Sequence, residues 1–339
     1  MKKQADGIIL SGIGGLYTVR TDDGELLMCR AKGAFRRTGN SPLAGDMVSV
    51  RLPSLAGEEP FIEKIYSRRC ALIRPPIANL DTLFVTFAPK DPEPSTLYLD
   101  KLLSIAVYEK ITPVVVITKN DISPVRAASY AEIYKKAGFP VFICSSADGD
   151  GISPLKAYLE TTCGICAFAG ASGVGKSTLM NTLFPSLSLD TGALSEKISR
   201  GRHTTRSVIL YPKSELLNKS CSGYIADTPG FSMLDFIEFD FYTIEDLPHC
   251  FPEFEPFLGK CRYTDCSHTK ETDCGILRAV ERGDIAKERH DSYLSIYADL
   301  AEKRPWKKKI AFCLYVKIFS DKIYFFWDFI TGIHLMGGS

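Results

Sequence analysis

The sequence predicts a multi-domain protein with an N-terminal β-barrel, a central α/β domain and a C-terminal, mainly helical domain that binds a metal. Short apolar runs separated by Gly and Asp turns fill residues 1–70. Strands and helices alternate over residues 71–235, and a Cys/His cluster lies within the polar stretch 236–300. Residues 301–339 form a basic and then apolar tail of no assigned role.

Charge, cysteine content and the N-terminal sequence restrict the class of protein. The 339 residues include 41 basic and 40 acidic side chains, so the chain lacks the overall positive field of a general nucleic-acid-binding protein. No apolar signal segment follows Met1, and the 11 cysteines are odd in number. We therefore expect a cytoplasmic protein whose clustered cysteines bind metal. The tail is interrupted by Lys and Asp and lacks the ~20 apolar residues of a membrane span.

The N-terminal block predicts a small barrel. Apolar runs at 7–10, 16–19 and 26–29 and an alternating run at 46–50 are short strands at regular spacing. The loop at 32–37, Lys-Gly-Ala-Phe-Arg-Arg, places three cations around one aromatic ring, which suits RNA phosphates and base stacking. The alternative interpretation is a solvated basic loop.

The central block predicts a parallel sheet covered by helices. Residues 83–87 and 113–117 are continuous apolar runs, as expected for strands that are buried on both faces. Residues 97–106, between them, have helical periodicity. This β-α-β order is typical of a parallel sheet.

A phosphate-binding pattern, G-x-x-x-x-G-K-[ST], lies between an apolar strand at 165–169 and a helix that continues through 178–183. Glycines let backbone N–H groups point at phosphate oxygens, and the helix N-terminus adds positive charge. We expect Lys176 to reach the β- and γ-phosphates and the Ser177 hydroxyl to ligate Mg²⁺. The predicted phosphate-binding residues are Gly170, Ala171, Ser172, Gly173, Val174, Gly175, Lys176, Ser177 and Thr178.

Two further strand ends carry candidate base-binding motifs. Thr118, Lys119, Asn120 and Asp121 resemble the [NT]-K-x-D guanine motif of GTPases. The Asp121 carboxylate would accept hydrogen bonds from guanine N1 and the 2-amino group, which adenine does not offer, and Lys119 would lie along the base. The strand at 141–144 ends in Ser145, Ser146 and Ala147, which resemble the motif whose backbone amide contacts guanine O6.

These base motifs precede the phosphate loop along the chain, whereas ordinary GTPases have the opposite order. A parallel sheet can preserve one site under such a rotation, because the site depends on the strand ends and not on chain order. A P-loop ATPase or kinase is a weaker alternative, against which Asp121 argues.

Two downstream segments are candidate switches. In Gly-Arg-His-Thr-Thr-Arg at 201–206, Thr204 or Thr205 can supply a hydroxyl to Mg²⁺ and the γ-phosphate, and Thr205 is the predicted ligand. In Asp-Thr-Pro-Gly at 227–230, Asp227 would hold Mg²⁺ through water and the Gly230 N–H would touch the γ-phosphate.

The residue after the second switch motif is Phe231, where many small GTPases have a glutamine that orients the attacking water. We hypothesise low intrinsic hydrolysis, with water positioned by His203 or by the surface of a partner. His203 could instead have a structural or RNA-contacting role. The predicted catalytic residues are Lys176, His203 and Thr205.

The C-terminal cluster predicts a structural zinc site. Cys261, Cys266, His268 and Cys274 provide three thiols and one imidazole, a closed tetrahedral set without an open catalytic position. Cys250 is the spare if one ligand is misassigned. Cys163 and Cys166 have C-x-x-C spacing but run into a buried strand, so ordinary buried cysteines are the favoured interpretation.

Together these features resemble the ribosome small-subunit-dependent GTPase A family of circularly permuted bacterial GTPases. The resemblance covers residues 1–300 and includes Arg-Pro-Pro-Ile-Ala-Asn-Leu-Asp at 74–81 and Phe-Pro-Glu-Phe at 251–254. It implies an OB-fold at 1–70, a permuted G domain at 71–235 and a zinc domain at 236–300. Thr118 stands where many GTPases have Asn, and the tail lies outside the resemblance.

The resemblance implies a GTPase that uses GTP/GDP with Mg²⁺ and one structural Zn²⁺. It would bind the small (30S) ribosomal subunit and its 16S rRNA, and assist late subunit maturation with hydrolysis stimulated by the subunit. We expect a monomer with no membrane or DNA partner. The alternative is a nucleotide-gated rRNA-binding module with little turnover of its own, which Phe231 keeps open.

Overall fold

Five antiparallel and parallel strands form an N-terminal barrel in the computed structural model, which describes residues 4–33, 35, 40–53, 58–72, 75–187, 208–218, 220–227 and 242–302. The order is β1-β2-β3-β5-β4, and β4 pairs back with β1, which closes the barrel. Alternating side chains such as Ile9, Val19 and Val48 are fully buried inside it. This closed five-stranded arrangement confirms the predicted OB-like barrel. Its strands are β1 (Gln4–Ile13), β2 (Leu16–Thr21), β3 (Leu26–Ala31), β4 (Met47–Arg51) and β5 (Phe61–Ile65).

The central domain contains a six-stranded sheet in the order β10-β9-β8-β11-β13-β12. The first five strands are parallel, and β12 is antiparallel to β13 at the end of this series. A short hairpin, β6 (Ala71–Leu72) and β7 (Ile77–Ala78), leads into the sheet. The strands are β8 (Leu80–Phe87), β9 (Thr112–Ile117), β10 (Val141–Ile143), β11 (Ile165–Gly170), β12 (Ile209–Pro212) and β13 (Tyr224–Asp227).

Helices cover both faces of this sheet. Leu83 and Val85 belong to one buried cluster with α1 and α2, whereas Phe84 belongs to a second cluster with α3 and α4. This alternation along β8 is what a two-sided burial requires. The helices are α1 (Thr96–Tyr108), α2 (Pro124–Lys136), α3 (Ile152–Thr161), α4 (Lys176–Leu183) and the short α5 (Lys213–Leu216).

The C-terminal domain follows residue 242 and is mainly helical, as predicted. Two 3₁₀ turns, Leu247–Cys250 and Pro252–Phe257, precede α6 (Gly275–Glu281) and α7 (Lys287–Glu302). Helix α7 packs along α1 of the central domain. None of the described helices has the length and apolar character needed to cross a bilayer.

The barrel joins the central domain through backbone pairing and through its linker. Ser11 of β1 pairs with Ile209 of β12, so the strands form one continuous sheet. Residues 4–31 and 42–302 belong to one structural unit. In the predicted basic loop, the Phe35 N–H donates to the Lys32 carbonyl at 3.1 Å. Ala34, Arg36, Arg37 and the tail lie outside the described residues.

Candidate nucleotide-binding site and metal centre

The predicted phosphate loop connects β11 to α4 at the carboxyl edge of the parallel sheet. Gly173 and Gly175 have φ angles of +80° and +90°, a backbone region that favours glycine. Gly170 is required for another reason: a Cβ there would lie 2.3 Å from the backbone oxygen of Thr86. Ala171 and Ser177 are partly buried, whereas Ser172 and Thr178 are exposed. The loop thus has the curled backbone that its sequence predicts.

The first base motif contacts this loop directly. The Thr118 hydroxyl lies 2.6 Å from the Val174 carbonyl oxygen and 3.0 Å from that of Phe87. A hydroxyl has one hydrogen to donate, and the shorter distance favours Val174. The Lys119 side chain passes over Gly175, and its Nζ donates to the Asp91 carbonyl at 2.6 Å. The base motif at 118–121 and the phosphate loop at 170–177 are therefore adjacent in the fold, although they are far apart in the chain.

The two base motifs also meet each other. The Ser145 hydroxyl donates to Asp121 Oδ1 at 2.6 Å and accepts from the Ala147 N–H at 3.2 Å. Asn120 Nδ2 donates to Asp150 Oδ2 at 3.1 Å. Ser145 is buried, Ser146 is partly buried and Ala147 is exposed. These contacts orient the Asp121 carboxylate beside the 145–147 segment, as the guanine-motif prediction requires.

Lys176 and Asp227 bring opposite charges to the same edge of the sheet. Burial lowers the pKa of Lys176 to about 8, and the nearby Asp227 charge opposes this shift. Burial likewise raises the pKa of Asp227, opposed by Lys176. For both groups, the effect of desolvation on the pKa thus exceeds the effect of the attraction between the two charges. A phosphate bound in this environment would stabilise the charged form of Lys176.

Several predicted site residues lie outside the part of the chain that the structure describes. They are His203, Thr205 and Gly230, together with the alternative ligand Thr204 and the neighbouring Phe231. Their roles stay predictions.

The four predicted metal ligands converge in the C-terminal domain. All four donor atoms lie within 4.8 Å of one another. Cys261 Sγ lies 3.7 Å from Cys274 Sγ, and His268 Nδ1 lies 3.5 Å from each of these sulfurs. Metal–ligand bonds of about 2.3 Å to sulfur and 2.0–2.1 Å to nitrogen give tetrahedral edges of about 3.5–3.8 Å. The donor set, which includes Cys266, thus fits a tetrahedral cation.

The surroundings of the cluster also suit thiolate ligands. The Gly275 N–H donates to Cys261 Sγ at 3.3 Å. Burial raises the pKa of the Cys266 thiol to about 12, so a bound cation would supply the charge that stabilises its thiolate. The spare candidate, Cys250, instead donates to the Asp246 carbonyl at 3.4 Å.

Glu271 organises the loop that carries these ligands. Its carboxylate accepts hydrogen bonds from the backbone N–H groups of Ser267, Thr269 and Lys270 at 2.9–3.1 Å. Burial acts to raise its pKa, but the Ser267 hydroxyl and the backbone N–H groups of Glu271, Ser267 and Lys270 lower it to about 2. Glu271 is therefore ionised and fixes the backbone between Cys266 and Cys274.

Sequence reasoning missed three residues that support the nucleotide site. The Thr86 hydroxyl donates to the Ala169 carbonyl at 2.7 Å, just before the phosphate loop. Asp91 and Asp150 hold Lys119 and Asn120, as described above. Thr86 is the one polar residue within the apolar run 83–87, which was a usable signal. The two aspartates lie in ordinary polar loops that give no such signal.

Comparison with known proteins places this geometry in a family. The family model described as RsgA GTPase matches residues 65–237, and the RsgA N-terminal domain matches residues 6–55. The chain is 40% identical to the small ribosomal subunit biogenesis GTPase RsgA of Caldanaerobacter subterraneus, over 91% of this chain and 99% of that protein. The chain belongs to the RsgA GTPase family. The RsgA of Moorella thermoacetica is 41% identical over 87% of this chain and 97% of its own length.

Two solved structures have the same architecture as this chain. YjeQ from Thermotoga maritima superposes with a TM-score of 0.74 at 32% identity, over 89% of this chain and all of that one. YloQ, described as a circularly permuted GTPase, gives a TM-score of 0.69 at 30% identity, over 89% and 96% of the two chains. The predicted family, fold class and GTPase activity are confirmed.

Proposed function

We propose that the chain is a cytoplasmic, monomeric GTPase that binds the small ribosomal subunit through 16S rRNA and assists its late maturation. The observation that carries this is the meeting of the base motifs and the phosphate loop. Thr118 lies 2.6 Å from Val174, and Asp121 lies 2.6 Å from Ser145. The small-subunit role is supported by the relatives, which are named small ribosomal subunit biogenesis GTPases.

The residues fit GTP with Mg²⁺. Asp121 would read the guanine edge, and Lys176 would contact the β- and γ-phosphates. Ser177 and Thr205 would hold Mg²⁺, with Asp227 acting through water. Bound Mg²⁺ would neutralise charge that develops on the phosphate oxygens.

The attacking water needs a hydrogen-bonding group to orient it. Phe231 has no hydrogen-bonding group, so His203 or the ribosomal surface would orient the water. Single-turnover hydrolysis by His203→Ala, with and without small subunits, tests this. Rates equal to those of the unsubstituted chain in both conditions would exclude His203 from the mechanism.

The C-terminal cluster would hold one structural Zn²⁺ through Cys261, Cys266, His268 and Cys274. All four positions are protein ligands, so the metal would order a loop with few buried apolar side chains. Metal analysis should find one zinc per chain, and Cys266→Ser should lose it.

Co-sedimentation with purified small and large subunits, in GDP and in a non-hydrolysable GTP analogue, tests the function. We expect binding to the small subunit only, with an affinity that depends on the nucleotide. Phosphate release should rise when small subunits are added. Nucleotide-dependent binding without stimulated release would favour the rRNA-binding module over the enzyme, and equal binding to both subunits would contradict the proposal.

A further inference from the structure

Helix α7 stands between the metal-binding loop and the central domain, and buried polar side chains contact both neighbours. His290 Nε2 lies 2.9 Å from the backbone oxygen of His268, itself a metal ligand, and the Tyr293 hydroxyl donates to the Ser267 carbonyl at 2.8 Å. His290 and Tyr293 are 5% and 0% exposed. One face of α7 therefore fixes the backbone of the ligand loop.

The preceding residue of α7 contacts the central domain. Arg289 Nη1 donates to Asp100 Oδ1 of α1 at 2.6 Å, and Arg289 Nε donates to Glu253 Oε1 at 2.7 Å. All three side chains are at most 3% exposed. The guanidinium also lies 4.5 Å from the Phe251 ring centroid. The Arg289 guanidinium is a buried charge with a carboxylate on each of two sides. It tolerates little displacement, because moving it away from either carboxylate would leave that carboxylate uncompensated in the dry protein interior.

Apart from the metal and these contacts, the ligand loop is held mainly by its own hydrogen bonds to Glu271 and not by buried side chains. Between Gly259 and Asp273, His268 alone is fully buried. Such a segment gains its order from metal binding. A change in the loop on metal loss would reach the carbonyls of residues 267 and 268, and through them the helical turn that carries Arg289.

We propose that metal occupancy and the docking of α7 on α1 are coupled, and that Asp100 of the central domain is a positioning residue for the metal site. This inference rests on the proposed metal. Asp100 belongs to the central domain and is linked to the ligand loop through Arg289 and α7. Because coupling between two sites is reciprocal, weakening the Asp100–Arg289 pair should weaken metal binding as much as metal loss weakens docking.

The test uses the full-length, zinc-loaded chain. Asp100→Asn keeps the shape of the side chain and removes its charge, which leaves Arg289 paired with Glu253. We expect competition with a chromogenic chelator to show a zinc affinity lower by a factor within the usual coupling range, about 5- to 150-fold. Asp299→Asn is the matched control, because Asp299 pairs with Lys101 across the same two helices at 2.5 Å and its side chain is 54% exposed. Its zinc affinity should match that of the unsubstituted chain.

Hydrogen exchange provides a second measurement that needs no variant of the buried pair. Removal of zinc should raise exchange in α1 around residues 99–104 as well as in the ligand loop, while α3 on the other face of the sheet stays protected. Tyr293→Phe, which removes the hydroxyl bonded to Ser267, should make α1 less responsive to zinc removal. An unchanged zinc affinity in Asp100→Asn, with stoichiometric zinc bound, would overturn the coupling and leave the zinc assignment intact. A chain that binds no zinc yet keeps α1 fully protected would overturn both.

Discussion

We propose that the Asp121 carboxylate determines which base binds, and its contacts make this testable. Its carboxylate presents only acceptors, which match the N1–H and 2-amino donors of guanine. In Asp121→Asn one oxygen becomes an amide donor and would face the 2-amino group. Xanthine has a carbonyl oxygen at that position and would accept from the new amide.

We predict that Asp121→Asn weakens GTP binding by about 10²–10⁴-fold and gains affinity for xanthosine triphosphate. Competition binding with both nucleotides measures this exchange of specificity. Glu132→Gln is the control, since it also removes one carboxylate charge, but from an exposed position on α2 where Glu132 pairs with Lys135. If Asp121→Asn still preferred GTP to xanthosine triphosphate, the base would have to bind away from residue 121.

Lys176 should make nucleotide binding depend on pH. Burial lowers its pKa to about 8, below the ordinary value of about 10.4, so the nucleotide-free chain loses this proton as pH rises through 8. Below pH 8, the lowered pKa of Lys176 in the folded chain reduces the free energy of unfolding. This reduction disappears as pH rises towards 10. A bound triphosphate favours the charged form, so binding near pH 8 should take up a fraction of a proton.

Titration calorimetry in buffers of different ionisation enthalpy measures that uptake, and GTP affinity should fall as pH rises from 7 to 9. Lys176→Arg keeps its charge throughout this range. Its affinity, although lower, should therefore not vary with pH. Absence of proton uptake at pH 8.5 in the unsubstituted chain would contradict the proposed contact between Lys176 and the triphosphate.

At the scale of elements, the phosphate loop depends on a strand end that is distant in sequence. Thr118→Val preserves shape but leaves the buried Val174 carbonyl without its hydroxyl donor. We expect a loss of about 1–3 kcal/mol in stability and weaker GTP binding, because the loop loses its tether. Denaturant unfolding and nucleotide titration measure the two effects. Thr118→Ser keeps the hydroxyl and should behave like the unsubstituted chain; equal losses in both variants would indicate packing as the cause.

The elements that sequence reasoning found are those with strong local signals. The apolar runs at 83–87 and 113–117 lie within β8 and β9, and the phosphate-loop glycines lie where the pattern predicts them. Strand β5 was missed because its five residues of mixed polarity give no clear period, and β12 because an apolar run of four residues is too short to identify a strand. The Arg289–Asp100–Glu253 cluster could not be predicted, since its members are far apart in sequence and each is ordinary in its own helix or turn.

At the scale of the whole molecule, two consecutive arginines of the linker face different domains. Arg68 makes two 2.7 Å bonds to Asp46 of the barrel, with side chains 7% and 0% exposed. Arg69 pairs with Asp81 at the start of the central sheet, with side chains 49% and 29% exposed. The barrel end of the linker is thus held by a buried ion pair, and the other end by a partly solvated one.

This difference predicts unequal effects for the same substitution at adjacent positions. Arg68→Met leaves the Asp46 carboxylate buried without a cation, which should cost about 3–5 kcal/mol near neutral pH. Arg69→Met should cost less, about 1–2 kcal/mol, because solvent screens its partly exposed pair with Asp81, although its bond to the Leu80 carbonyl is also lost. Burial already raises the pKa of Asp46 although Arg68 opposes the shift, and loss of Arg68 would raise it further. A carboxyl whose folded-state pKa is raised favours folding at low pH and loses that contribution as pH rises, so Arg68→Met should be less destabilised at pH 4.5 than at pH 7.5.

Hydrogen exchange of barrel strands β1 and β4 at the two pH values measures this, since it reports the barrel separately from the other domains. Adding Asp46→Asn to Arg68→Met removes the unpaired charge and should restore most of the lost protection at pH 7.5. If Arg68→Met and Arg69→Met cost the same at both pH values, the buried pair does not hold the barrel in place. The coupling of the barrel to the G domain would then rest on the Ser11–Ile209 strand pairing and its neighbouring contacts.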